Sequence, residues 1–311
     1  MIRFIALFFA VLIPTIASAW SETGHHVIAV LAYNGMDSES RSKMMEILSH
    51  HPDFETTFKP PANVTTKAGI EKWQIGVAGC WPDIIRRTDE DRPTWHYELG
   101  ATLVIGNVEV DDRPGPLPAD ATMDTQELYL SQAVELALKT YRDESVAKAD
   151  RAIALCWILH LYADGHQPCH AGSLYAPCFD GHDRGANSIR FTDRGNLHSA
   201  WDGLLGRRAT ASDVLRRVAK LGNPLVVLRT VADEAGPDWL TPSVWLTESR
   251  KFGLSHVYTD EVRRPVIAAS RGLTDGLPKF NLSEEYFQAA GKVARERVKY
   301  SATRLAIVLG K

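Results

Sequence analysis

Two histidine–aspartate pairs are candidate metal ligands. His160 and Asp164 lie four positions apart in HLYADGHQPCH, and His198 and Asp202 have the same spacing in NLHSAWDG. On a helix this spacing places both side chains on one face, where an imidazole nitrogen and a carboxylate oxygen could hold one ion. A single pair could equally be joined only by a hydrogen bond. Two pairs with His170 between them favour a metal site.

Further candidate ligands lie upstream. Asp83 occurs in CWPDIIRR, His96 in TWHYELG, and His25 follows Trp20 by five residues in ASAWSETGHH. Imidazole and carboxylate without thiolate form a set that suits zinc, although manganese and iron accept the same ligand types. These residues are far apart along the chain, so the fold must bring them together.

The first 19 residues have the composition of a secretory signal peptide. Arg3 precedes the apolar run FIALFFAVLIPTIA, and the small residues Ala17-Ser18-Ala19 follow it. A membrane anchor is the alternative, but a proline interrupts the run and no basic cluster follows. We therefore expect a mature chain that begins at Trp20, has no membrane span, and is secreted or periplasmic.

The elements that position the candidate ligands are predicted to be helices. Apolar residues recur at helical spacing in residues 124–143, 146–165, 212–222 and 283–310. Strand signals are few: residues 101–110 could form a hairpin that turns at Gly106-Asn107, and residues 188–191 a short strand. The prediction is a mainly α fold, a single-domain helical bundle over residues 20–311 with one or two short β-hairpins.

The charge balance excludes one way of binding nucleic acid. The chain has 35 Lys and Arg against 38 Asp and Glu, a formal net charge of −3. This is not the basic signature of a protein that binds nucleic acid through lysine and arginine alone. Metal ions bound by the candidate ligands, rather than a lysine patch, would attract phosphate.

Taken in order, the motifs resemble the secreted, zinc-dependent, single-strand-preferring nucleases typified by mung bean nuclease and its fungal and bacterial relatives. That family begins with Trp-x-x-x-Gly-His, matched from Trp20 to His25. The other matches are Trp-x-Asp-x-x-Arg at 81–86, the pair His96-Tyr97, His-x-x-x-Asp-x-His-Gln-Pro-x-His at 160–170 and Asn-Leu-His-x-x-Trp-Asp at 196–202. The resemblance covers essentially the whole mature chain and implies a phospholipase C/nuclease-like fold.

The resemblance also implies three zinc ions and assigns their ligands. The first zinc would take Asp83, His96, His160 and Asp164; the second His170, His198 and Asp202; the third His25, the shared Asp164, and the α-amino nitrogen and carbonyl oxygen of Trp20. The new chain end would then be a metal ligand, which explains a tryptophan at that position. Packing of its indole would hold the end in place.

The activity implied is hydrolysis of single-stranded DNA and RNA, and of 3′-nucleotides, to 5′-phosphorylated products. A water bridging the first and third zincs would lose its proton, because zinc lowers its pKa from ~15.7 to about 7, and would then attack phosphorus. The second zinc would stabilise the departing 3′ oxygen. No stable protein partner is implied.

Two further residues have roles by the same resemblance. Arg86, three residues after the catalytic ligand Asp83, would stabilise charge on the transition state; a surface salt bridge is the alternative, and Arg87 is a rival. Tyr97 would stack on an unpaired base, or else belong to the core. Leu99 departs from the family, many of whose members carry an aspartate there that reads a base edge, so base preference does not carry over.

Two alternative functions fit parts of this pattern. Zinc-dependent phospholipase C shares the fold, but its last ligand is usually glutamate and its first histidine lies further from the terminus. Asp202 and the short spacing from Trp20 to His25 therefore favour the nuclease. A non-catalytic zinc-binding protein is disfavoured because the second site has too few protein ligands for a closed structural site.

The four cysteines of an exported chain suggest disulfides. Cys80 lies three residues before Asp83, and Cys156 lies one helical turn before His160. If these two ligands hold one zinc, the sulfurs would approach each other. We therefore expect bonds Cys80–Cys156 and Cys169–Cys178, with separate buried thiols as the alternative.

Overall fold

The computed structural model describes residues 20–110, 114–191, 195–207 and 210–310. The predicted signal peptide lies outside these residues and stays a prediction. The α-helices of the described residues are α1 (Glu22–Gly35), α2 (Ser38–Leu48), α3 (Lys67–Ile84), α4 (Leu130–Arg142), α5 (Lys148–Gly165), α6 (Pro168–Ala171), α7 (Leu197–Asp202), α8 (Ala211–Leu221), α9 (Leu228–Ala235), α10 (Pro242–Phe252), α11 (Asp260–Ser270) and α12 (Glu284–Leu309). The mainly α prediction is confirmed.

Each of the four segments with helical spacing forms a helix. Residues 146–165 correspond to α5, 212–222 to α8 and 283–310 to α12, each within two residues at both ends. Residues 124–143 correspond to α4, which begins only at Leu130. Ser283 caps α12 by accepting a hydrogen bond from the Tyr286 backbone N–H, as expected of a serine before a helix.

The predicted hairpin is wrong. Strand β1 (Gly100–Val104) does not fold back on residues 106–110; it pairs in parallel with β2 (Gly172–Tyr175), a strand far along the chain. Residues 188–191 are also not a strand, since they form only isolated bridges to Asn196 and Phe280. Parallel pairing needs a long connection and leaves no local sequence signal, unlike a hairpin turn.

Three helices form the centre of the protein. Helices α1, α3 and α5 pack on one another, and the buried side of each continues around most of its circumference. Gly79 on α3 permits the closest approach: a Cβ there would lie 3.1 Å from the Ala29 Cβ and 3.2 Å from the His25 carbonyl oxygen of α1. Helix α12 packs against α1 and α5 from another side. The candidate ligands His25, Asp83, His160 and Asp164 are thus fixed by the three central helices.

A second apolar cluster lies beside this centre. It contains Trp201, Val257, Val262 and Tyr286, contributed by α7, α11, α12 and the π-helical turn Gly253–Val257. The Trp201 indole N–H donates to the Tyr286 hydroxyl oxygen, 2.9 Å away. This cluster supports α7, which carries His198 and Asp202. Among the described residues, none of the helices combines the length and apolarity needed to cross a membrane.

Neither predicted disulfide forms. All four cysteines are free thiols. The Cys80 thiol faces α1, where its sulfur lies 3.4 Å from the Glu22 carbonyl oxygen, rather than facing Cys156 on α5. The Cys178 sulfur lies 3.9 Å from the Val266 carbonyl oxygen. Burial raises the pKa of Cys80, Cys156 and Cys169 well above the usual range, so these thiols are unreactive core residues.

A glycine on α3 should be indispensable for the packing of α1. A Cβ at Gly76 would lie 1.6 Å from Cδ2 of the buried His26 ring. We expect Gly76→Ala to lower the free energy of unfolding by about 1–3 kcal/mol, because the added methyl group would overlap the ring and force the ring or α3 to shift. Gly291→Ala on α12 is the matched control: its Cβ would make an ordinary contact at 3.5 Å, and should raise stability by about 0.5–1 kcal/mol. Urea unfolding measures the free energy of unfolding of each variant. Equal stability of Gly76→Ala and Gly291→Ala would refute the packing argument.

Candidate metal centre

The predicted metal ligands come together in one buried region. Three groups of side chains have ligand atoms within 4.8 Å of one another: His25 with His160 and Asp164, Asp83 with His96 and His160, and His170 with His198 and Asp202. Helices α1, α3, α5 and α7 supply six of these residues. The others, His96 and His170, end short helical turns at Pro93–His96 and Pro168–Ala171.

Asp164 lies at the centre of the first two groups. Its Oδ1 is 3.2 Å from His25 Nε2, while its Oδ2 is 3.1 Å from His96 Nδ1 and 3.2 Å from His160 Nε2. Asp83 is more distant, with Oδ1 3.9 Å from His160 Nε2 and 4.0 Å from His96 Nδ1. One oxygen of the Asp164 carboxylate therefore faces His25, and the other faces His96 and His160.

The third group is built from α7 and the turn before β2. His198 Nε2 lies 3.7 Å from Asp202 Oδ2, and His170 Nε2 lies 3.9 Å from Asp202 Oδ1. The Gln167 side-chain amide donates to Asp202 Oδ1 over 2.7 Å and fixes the carboxylate. Gln167 had no role assigned from the sequence, although it stands inside the His-Gln-Pro motif.

Backbone carbonyl groups orient three of the histidines. The Nδ1–H group of His160 donates to Gly79 O over 2.9 Å, that of His170 to His96 O over 2.6 Å, and that of His198 to Gly185 O over 2.6 Å. Each ring is thereby held with the Nε2 lone pair directed toward the ligand cluster, the usual arrangement of metal-binding histidines. Carbonyl acceptors leave no trace in the sequence, so these contacts could not be predicted.

The residues fit a metal ion on their own geometry. His170 Nε2 and His198 Nε2 are 2.9 Å apart, and since each ring donates its Nδ1–H to a carbonyl, two lone pairs face each other. In addition, His25 Nδ1 is buried without a hydrogen-bond partner, and His25 Nε2 and Asp164 Oδ1 lie 3.2 Å apart without a well-aligned hydrogen bond. Buried polar atoms in this state are costly unless a cation satisfies them.

The electrostatics of the protein alone favour the ligand state at some positions and oppose it at His160 and Asp202. Burial acts to lower the pKa of His160, but the charges of Asp164 and Asp83 raise it above its usual value. Burial lowers the pKa of His198 to about 3, and burial with the nearby Arg86 charge lowers that of His96 to about 3, so both rings are neutral and keep a lone pair. Burial opposes ionisation of Asp164, yet the facing imidazoles hold its pKa well below the usual range. Burial raises the pKa of Asp202 well above the usual range. A nearby cation would keep Asp202 ionised.

Trp20 is fully buried beside this centre. Its indole N–H donates to the Ala163 carbonyl oxygen over 3.0 Å, one residue before Asp164. The next backbone N–H, that of Ser21, donates to Asp202 O over 2.9 Å. Gly24 makes this packing possible, because a Cβ there would lie 2.5 Å from the Trp20 Cβ. The start of the predicted mature chain is thus held next to the ligands.

Arg86 and Tyr97 lie at the edge of the ligand cluster. The Arg86 Nε is 3.3 Å from Asp83 Oδ1, and its Nη1 is 3.6 Å from Asp91 Oδ1, whereas its rival Arg87 is exposed. Asp91 also accepts the Arg87 backbone N–H over 2.9 Å, holding Arg87 in a left-handed conformation with φ of 69°. Tyr97 is half-buried, so it is not part of the closed core.

His166 has a structural role. Its Nδ1–H donates to Tyr162 O over 2.7 Å, and its Nε2 accepts from Arg304 over 2.8 Å. Arg297 donates to the His166 carbonyl oxygen over 3.2 Å, and both arginines pair with Glu248. These buried contacts from α12 fix the turn that joins Asp164 to His170.

The comparison with known proteins identifies the class that this fold and site define. The sequence pattern of the S1/P1 Nuclease family matches residues 20–311, and the chain belongs to that family. It is 25% identical to Nuclease S1 of Aspergillus oryzae over 315 residues, covering 92% of this chain and 89% of that protein. It is 21% identical to Endonuclease 1 of Arabidopsis thaliana over 304 residues, covering 94% of this chain and 87% of that protein. The resemblance seen in the motifs is confirmed, and the protein is a metal-dependent nuclease.

Proposed function

We propose that this protein is a zinc-dependent phosphodiesterase that cleaves single-stranded DNA and RNA, and 3′-nucleotides, leaving 5′-phosphates. One observation carries the proposal: in a nuclease-family chain, one oxygen of Asp164 faces His25 while the other faces His96 and His160. A carboxylate with this environment is suited to bridge two metal ions. The third ligand group, around His198, provides for another ion nearby.

Three zinc ions would be held by the residues of these groups. Asp83, His96, His160 and Asp164 would hold the first; His170, His198 and Asp202 the second; His25, Asp164 and the Trp20 chain end the third. The ligand types and the carbonyl-oriented imidazoles support zinc. Bound zinc would supply Lewis acidity toward a phosphoryl oxygen and would lower the pKa of water from ~15.7 toward about 7.

The residues of the chain itself would bind and orient the substrate. Arg86, which is held between Asp83 and Asp91, would donate to a phosphoryl oxygen and stabilise its increasing charge. Tyr97, half-buried and adjacent to His96, would offer a ring face to an unpaired base. A base inside a duplex is stacked on its neighbours and has no such face free, so this contact would favour single strands.

We further propose that the protein is exported, either secreted or periplasmic, as one domain over residues 20–311. The composition of the first 19 residues supports removal of a signal peptide. Cleavage after Ala19 would free the amino group of Trp20, a residue whose indole N–H donates to Ala163 O and whose neighbour Ser21 donates its backbone N–H to Asp202 O. Export and assembly of the third metal site would then be coupled.

The proposed function predicts both the substrate class and the product ends. Purified protein should cleave a single-stranded oligonucleotide much faster than a duplex, release 5′-phosphorylated fragments, and contain about three zinc ions per chain. Removal of zinc with a chelator should abolish the activity, and added zinc should restore it. The same preparations are assayed on RNA, a 3′-nucleotide and a choline phospholipid. Hydrolysis of the phospholipid alone would favour phospholipase C, and metal binding without any hydrolysis would favour a non-catalytic zinc protein.

A further inference from the structure

A strained turn borders the third ligand group. Arg184, Gly185 and Ala186 have consecutive left-handed backbone conformations, with φ of 58°, 61° and 67°. Only glycine adopts this conformation without cost, so Arg184 and Ala186 are held in it by their surroundings. Backbone strain of this kind persists in proteins mainly where it serves a function.

Hydrogen bonds over the whole turn maintain this conformation. The buried Asp183 carboxylate accepts the Leu174 backbone N–H over 3.0 Å, and the Gly185 N–H donates to Ser173 Oγ over 2.8 Å. The Asn187 side-chain amide donates to Arg184 O over 2.8 Å. These contacts tie the turn to strand β2 and leave its backbone little freedom.

The turn is fixed relative to two parts of the site. Gly185 O accepts the hydrogen bond that orients His198. A Cβ on Gly185 would lie 2.1 Å from the Cys169 carbonyl oxygen and 3.1 Å from Leu99 Cδ2, so the residue is wedged between the segments that carry His170 and Tyr97. The residue before it, Arg184, is therefore held at the boundary between the ligand group and the predicted base-stacking residue.

Arg184 is the part of the turn that is available to a ligand. Its side chain is exposed, and no described carboxylate forms an ion pair with it. By contrast, Arg86 is shared between Asp83 and Asp91. Gly185, the next residue, packs against Leu99, two residues after Tyr97. Burial raises the pKa of the Tyr97 hydroxyl, and the Arg184 charge opposes that rise.

From these contacts we infer that Arg184 binds a backbone phosphate of the single-stranded substrate, next to the one that is cleaved. The inference rests on the proposed nuclease function. The rigid backbone fixes the position from which the Arg184 side chain extends, and the planar guanidinium can form bidentate hydrogen bonds to phosphate. Its position beside Tyr97 suits the nucleotide whose base stacks there. Arg184 would thus favour substrates longer than a dinucleotide.

The test compares Arg184→Asn with the wild-type protein. Asparagine tolerates the left-handed conformation, so the variant loses the charge and keeps the turn. On a single-stranded hexanucleotide we expect KM to rise about 3- to 10-fold with little change in kcat, and the salt dependence of kcat/KM to fall by about 0.7 in slope. On a dinucleotide, which has a single phosphodiester, KM should stay the same. Zinc content should also be unchanged, and Arg184→Lys, which keeps the charge but cannot form the bidentate contact, should raise KM less than Arg184→Asn does.

Arg271→Asn, at the exposed C-terminal end of α11, is the control for loss of one surface charge. It should leave KM for both substrates unchanged. Equal KM and salt slope for Arg184→Asn and wild type would overturn the inference, as would loss of zinc in Arg184→Asn, which would show that Arg184 only completes the turn. A wild-type protein that cleaves no oligonucleotide would refute the proposed function itself, and the inference with it.

Discussion

Replacing Asp164 with asparagine is expected to remove at least two zinc ions and to lower turnover on single-stranded DNA by on the order of a thousandfold or more. The side chain places one oxygen 3.2 Å from His25 and the other 3.1 Å from His96. Asparagine keeps the size but offers only one oxygen and no charge, so it can serve one of the two groups at most. Zinc analysis and single-turnover rates measure the two effects.

A substitution in the third ligand group provides the contrast. His198→Ala should remove one zinc ion and lower turnover, while the other two ions stay bound, because His198 contacts only His170 and Asp202 among the ligands. Circular dichroism of both variants checks that the helices remain. If Asp164→Asn keeps its full zinc content and activity, the bridging role of Asp164 is refuted. If His198→Ala loses all its zinc, the groups are not separate sites.

Keeping one residue in front of Trp20 is the second change with a large expected effect. A chain that begins Met-Trp20 should bind one zinc ion fewer and lose most of its phosphodiesterase activity. The added residue converts the Trp20 amine into an amide, which carries no lone pair available to a metal. The burial of Trp20 and its hydrogen bond to Ala163 O would remain, so the fold should be unaffected.

The matched control is the same chain released from a fusion partner with Trp20 as its first residue. It should contain three zinc ions and have full activity, and both forms should unfold at similar denaturant concentrations in the absence of metal. Zinc content and turnover are measured side by side. Equal values for the two forms would show that Trp20 is only a core aromatic residue and would reduce the proposed centre to two metal ions.

Several helices and both histidine–aspartate pairs could be predicted because they depend on residues close together in the sequence. Residues four positions apart lie on the same face of any helix. The pairs His160–Asp164 and His198–Asp202 have this spacing, and both lie on helices. Amphipathic periodicity likewise predicted α5, α8 and α12. Helices α1 and α3 were not predicted; both are buried around most of their surface, as is α5, whose apolar residues nevertheless recur at helical spacing.

Contacts between distant segments were decided only by the tertiary structure. Three such contacts are the pairing of β1 with β2, the approach of the Cys80 thiol to Glu22 O, and the hydrogen bond from His198 to Gly185 O. No sequence pattern within either segment indicates its partner. Sequence spacing fixes which side chains share a helix face, but it does not fix the rotation of one helix against another. The ligand types and motifs were therefore evident from the sequence alone. The position of Asp164 between His25 and His96 depends on how α1, α3 and α5 pack. Close contacts such as that of Gly79 with Ala29 determine this packing.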